Sequence, residues 1–101
     1  MNLEDTTKKV KELFEKAQGF TDTLTFDFGS DGKISVDGRK TPPEVSNAEL
    51  DSECTVLVTL ADFNEILAGN LNAQMAFMSG KLSVEGNMGI AMNLASVLQT
   101  D

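Results

Sequence analysis

Histidine, tryptophan and tyrosine are absent from this chain, cysteine occurs once and proline twice. Without an imidazole or a phenol it lacks the usual general base near neutral pH, the commonest metal ligand and a proton-donating ring hydroxyl, so most hydrolytic constellations are excluded. Cys54 has no partner for an intrachain disulfide, and there is no Cys-x-x-Cys to hold zinc or run dithiol chemistry. A reducing compartment, most simply the cytoplasm, is expected. No run of about 18 apolar residues is available to span a membrane. Met1-Asn2-Leu3-Glu4-Asp5 is acidic where a signal peptide is basic and then apolar, so secretion is not expected either. Sixteen acidic residues against eight basic give a net charge of −8, which opposes adsorption to phosphate backbones. The six phenylalanines are not interleaved with lysine or arginine, and nucleic acid is set aside as a partner.

What remains is the composition of an ordinary folded, soluble domain: 41% hydrophobic and 24% charged residues in a chain of 101. That length suits one domain over residues 1–101, with a radius of gyration of roughly 13 Å. Leu3, Val10, Leu13, Phe14 and Ala17 recur at helical spacing, and Gly19 followed by Phe20 supplies a stop, predicting an amphipathic helix from Leu3 to about Gln18. This helix carries Lys8, Lys9, Lys11 and Lys16, half of all the basic residues. Its apolar stripe either packs on a sheet alone or also makes transient contact with a membrane surface.

The period then changes from 3.6 to 2. Leu24, Phe26 and Phe28 alternate with Thr23, Thr25 and Asp27, and Gly29-Ser30-Asp31-Gly32 joins them to the alternating run Lys33–Asp37, predicting a β-hairpin with one buried face. Pro42-Pro43 suits only a strand start or a sheet edge for the weaker strand of residues 44–49. Residues 54–59 form a stronger strand that leads into a helix over residues 60–68, with Thr59 and Asp62 spaced as a capping box and Gly69 as its stop. Asn72 caps a short apolar helix to Ser79, and residues 81–86 return to strand alternation. Asn87 caps a last helix from Met88 to about Gln99 that is apolar on more than one side.

Asp27, Asp31 and Gly32 occupy three positions of a calcium loop. Gly29 and Gly38 stand where further ligands belong, so an acidic turn explains these residues and no metal site is expected. Cys54 in a strand, with no imidazole anywhere, reads as an unreactive buried thiol; no catalytic set survives, and the chain is not expected to be an enzyme. Apart from Met1, every methionine falls within Met75–Met92, together with Phe77. Unbranched thioethers suit a wall that repacks around different apolar guests, and they equally suit a plain core.

The run Glu53-Cys54-Thr55-Val56 through Ala61-Asp62, then Gly69, Asn72, Gln74, Ala76-Phe77, Gly80-Lys81-Leu82 and Gly86-Asn87-Met88-Gly89-Ile90-Ala91-Met92, resembles the sterol carrier protein 2 (SCP-2) family. The resemblance is close from Cys54 to about Leu98 and looser before it. It implies an α/β (α+β) fold, a five-stranded, mostly antiparallel, curved sheet covered by helices and enclosing an apolar lipid tunnel. It implies non-catalytic binding and transfer of a lipid ligand, whether fatty acid, acyl-CoA, phospholipid or sterol, with no cofactor. By the family pattern Gln74, Phe77, Met88 and Met92 fall near the lipid site, and the last helix forms its lid or wall. With them Phe63, Leu67, Met75, Met78 and Leu98 are the expected lining, and Gln74 is the expected polar contact near a head group. The chain ends without a peroxisomal tripeptide. The alternative role is an accessory module with a closed pocket, serving a partner enzyme of lipid metabolism.

Overall fold

A computed structural model describes residues 2–16 and 20–98, the last four of these by backbone alone. Helix α1 (Leu3–Lys16) precedes strands β1 (Thr23–Asp27), β2 (Lys33–Asp37), β3 (Glu44–Ser46) and β4 (Cys54–Val58). Helices α2 (Leu60–Leu67) and α3 (Ala73–Met78), strand β5 (Leu82–Gly86) and helix α4 (Met88–Leu98) complete the order. The predicted stop of the first helix at Gln18-Gly19 lies outside the described residues.

The five strands form one mixed sheet in the order β3-β2-β1-β4-β5. All neighbours are antiparallel except the central pair β1 and β4, which run parallel. Register builds one continuous apolar face: Phe26 stands opposite Ile34 on one side and Val56 on the other, and Val56 stands opposite Val84. Because side chains alternate along a strand, aligning these positions turns every second residue to the helices. Val10 and Phe14 of α1, with Phe63 and Ile66 of α2, are buried in the same core cluster. The rings of Phe26 and Phe28 lie 4.7 and 5.2 Å from that of Phe63. The radius of gyration is 12.0 Å.

The opposite face of the hairpin is not solvated as its alternation predicts. Thr23, Thr25, Ser35 and Asp37 are all buried. The chain must travel from edge strand β3 past β2 and β1 to reach β4, and it does so over this face. Ser35 Oγ donates to the carbonyl of Ala48 at 2.7 Å, the hydroxyls of Thr25 and Ser52 pair at 2.8 Å, and Thr23 Oγ1 accepts from Glu53 N–H at 2.9 Å. Hydroxyls suit a surface covered by irregular backbone, because they satisfy polar groups that cannot join a ladder.

The helix punctuation follows from local chemistry. Thr59 Oγ1 accepts from Asp62 N–H at 3.1 Å, and Asn72 Oδ1 accepts from the N–H groups of Gln74 and Met75. Asn87 Oδ1 accepts from Gly89 N–H at 2.8 Å. Each cap satisfies N–H groups that the first turn leaves without an intrahelical acceptor. Gly86 ends β5 at φ +95°, and a Cβ there would collide with the Glu53 carbonyl oxygen, so only glycine lets β5 close on β4 at this corner. Asp27 Oδ1 accepts from Gly29 N–H at 2.8 Å, an Asx turn that gives this acid a structural part in the hairpin loop. Cys54 is buried, and desolvation pushes its thiol above the ordinary range, away from the reactive thiolate.

Beyond β2, Asp37 accepts from Arg39 Nε and Nη2 at 2.9 and 3.0 Å and from its backbone N–H at 3.0 Å. The guanidinium hydrogen bonds outweigh the opposing desolvation and hold the carboxyl at about 2, below its ordinary 3.8. A depressed carboxylate stabilises the fold fully above its unfolded value and loses that contribution as pH falls through the folded one. Arg39→Ala is therefore expected to lower Tm most above pH 3.8, with the gap to the parent closing as pH falls to about 2. Parallel thermal melts across that range check the sign.

Candidate functional site

The apolar sheet face is not covered completely at its β5 side. Between the sheet, α2, α3 and α4 lies a cavity of about 400 Å³ that opens to solvent. Phe26, Val56, Leu82 and Val84 form its floor and Phe63 one wall. The α3 side is Ala73, Gln74 and Phe77, and α4 contributes Met88, Ala91, Met92 and Leu94. Among the described residues Gln74 is the one polar side chain in this lining, and no acid, base or nucleophile faces the space. The arrangement can exclude water and hold an apolar guest by contact.

The floor is a consequence of register. Phe26, Val56 and Val84 come from β1, β4 and β5, and only the parallel β1–β4 pairing brings the first two side by side. The α4 wall follows from the corner at Gly86 and the Asn87 cap, which send the helix back across the sheet to bury Ile90 and Leu94.

Of the nine residues expected from the sequence, Phe63, Gln74, Phe77, Met88 and Met92 border this cavity. Leu67, Met75 and Met78 do not. Helix α3 has six residues, and Ala76, fully buried, is its inward position. At about 100° per residue, Met75 lies roughly 160° and Met78 roughly 100° around the helix from the cavity-lining Phe77, and they are 65% and 78% exposed. Leu67 ends α2 and is half-buried against the core, the inward positions being taken by Phe63 and Ile66. The side chain of Leu98 lies outside the described residues. Sequence reading missed the sheet floor and Ala73, Ala91 and Leu94. Strand alternation marks Phe26, Val56 and Val84 as inward, but not that they meet. Among the described residues the site is an open cavity whose rim leaves Phe77, Met88 and Met92 substantially exposed, and an enclosing tunnel is not seen.

The first helix is fastened to the core. Val10 and Phe14 have no exposure, and Thr6 Oγ1 donates to Asn64 Oδ1 at 2.6 Å, joining α1 to α2. Its four lysines are matched by Glu4, Asp5, Glu12 and Glu15, so α1 carries no net charge.

This fold has known counterparts. The chain is 41% identical over 68 residues to peroxisomal multifunctional enzyme A of Dictyostelium discoideum, a match covering 67% of this chain and 13% of that protein. It is 39% identical over 51 residues to human sterol carrier protein 2, covering 50% of this chain and 9% of that protein. The chain thus spans only a small part of the length of these curated relatives. The solution structure of palmitated SCP2L2 from Aedes aegypti superposes with a TM-score of 0.69 at 21% identity, over 99% of this chain and 96% of that one. Residues 3–99 match the SCP-2 sterol transfer family, and the chain belongs to that family.

Proposed function

We propose that this protein binds a lipid through one acyl chain in the α2–α3–α4 cavity and transfers it without chemical change. The observation that carries this reading is the composition of the lining: eleven apolar side chains and one amide, Gln74, around about 400 Å³. That volume lies toward the low end of small-molecule sites, which favours a fatty acid or a single acyl tail over a two-chain phospholipid. The exposed Gln74 on α3 suits a hydrogen bond to a carboxylate or ester at the mouth. Fourteen buried methylenes at about 0.8 kcal/mol each return roughly 11 kcal/mol, against an association cost of roughly 4 to 15 kcal/mol. At the low end of that cost the balance is about 7 kcal/mol, an affinity in the micromolar range that is set by chain length more than by head group. A cytoplasmic setting agrees with the single buried thiol.

Titrating the protein with a fluorescent fatty acid and displacing it with saturated acids of increasing length tests this. Affinity is expected to rise with each added methylene until the cavity is filled and then level off. A response that ignores chain length would contradict an acyl-chain site. The name of the Dictyostelium relative, a multifunctional enzyme, supports delivery of the bound lipid to an enzyme as the wider role.

A further inference from the structure

Among the described residues, the large hydrophobic side chains left exposed are Met75, Phe77, Met78, Met88 and Met92. They sit together on α3 and α4, helices that border the same cavity. Phe77, Met88 and Met92 border it, while Met75 and Met78 are exposed on α3 outside its lining.

The charge distribution sets this surface apart. Residues 66–98 contain one base, Lys81, and one acid, Glu85, whereas every acid but Glu85 and Asp101 precedes Ile66. The rim is thus an electrically neutral apolar face on a chain of net charge −8. We propose that this rim docks on a membrane and selects electrically neutral lipid surfaces. The proposal rests on the lipid-binding reading, since an exposed apolar mouth continuous with an acyl-chain cavity is where lipid must enter and leave.

An anionic leaflet repels the acidic body within a Debye length of about 8 to 10 Å, a cost absent on a zwitterionic surface. The lysines of α1 do not reverse this, because four acids on the same helix balance them and its apolar side chains Val10 and Phe14 are consumed by the core. A second copy of this chain is disfavoured as the occupant: it would bring another −8 charge and would close the mouth.

Vesicle flotation distinguishes these cases, using phosphatidylcholine vesicles alone or mixed with phosphatidylserine, at low and physiological salt. The parent is expected to float with phosphatidylcholine, to bind the mixed vesicles several-fold less at low salt, and to recover part of that loss as salt is added. Met75 and Met78 lie outside the cavity lining, so a Met75→Ser/Met78→Ser variant should lose roughly tenfold or more in vesicle binding. It should retain the parent's palmitate affinity in solution. Stronger binding to the anionic vesicles, or unchanged binding by the variant, overturns the proposal. Absence of vesicle binding with a dimer by sedimentation also overturns it and assigns the rim to a second copy. If the parent floats with phosphatidylcholine but takes up no palmitate, the docking surface stands and the acyl-chain reading falls.

Discussion

An Ala91→Trp variant is expected to bind palmitate about 200-fold more weakly than the parent while keeping its Tm. Ala91 is half-buried on α4, and its side chain borders the open volume between that helix and the sheet. An indole placed there has space to occupy, so the strain that accompanies insertion into a packed core is avoided. It takes the space of about four methylenes of a bound chain, and at about 0.8 kcal/mol each their loss is roughly 3 kcal/mol, or about 200-fold in affinity. Ala91→Ser, which adds little volume, is the control and should stay close to the parent. Fatty-acid titration of the three proteins, with melts in parallel, reads both quantities.

Phe63→Ala has the opposite signature. Its ring has no exposure and lies against Phe26 and Phe28, so it is both core and cavity wall. Truncation is expected to cost about 3 to 5 kcal/mol of stability through lost burial and the void left behind. The same void adjoins the lipid site, so the variant should remain able to bind. A ligand that binds only the folded state stabilises it by about 2.7 kcal/mol at a hundredfold excess over Kd, so saturating palmitate should recover a large part of the loss. Chemical denaturation with and without palmitate measures both. A variant as unstable with palmitate as without it would contradict retained binding of the acyl chain beside Phe63.

Much of this architecture is legible in the sequence because it is written locally. The caps at Thr59, Asn72 and Asn87 are short-range hydrogen-bonding devices, and each begins a helix where the residue type predicts. The β1–β2 hairpin follows from alternation on both sides of a glycine-bounded turn, and the prolines before β3 agree with its place at the sheet edge. Non-local pairing is less accessible. Nothing in the spacing states that β4 joins β1 in parallel, and that pairing lays Phe26 beside Val56 in the cavity floor. The covered hydroxyl face of the hairpin is hidden for a related reason. Thr23, Thr25 and Ser35 read as solvent-facing until the segment 47–53 is seen to cross them.

The methionine cluster shows where a compositional signal divides. Clustering identifies the region, and Met88 and Met92 border the cavity. It does not resolve which side of a six-residue helix is inward, and that geometry sends Met75 and Met78 to the surface. The same uncommitted methionines then make the rim wide enough to rest on a bilayer. The acidic residues concentrated in the first two-thirds of the chain leave that rim neutral.

The central claim is that the open apolar cavity holds lipid, and native mass spectrometry of the purified protein, followed by organic extraction of the same sample, tests it most directly. The expected result is a mass adduct, carried from the cell or formed with added palmitate, that extraction releases as a single acyl lipid and that Ala91→Trp abolishes. A clean protein mass that stays unshifted with excess fatty acid and phospholipid would contradict it.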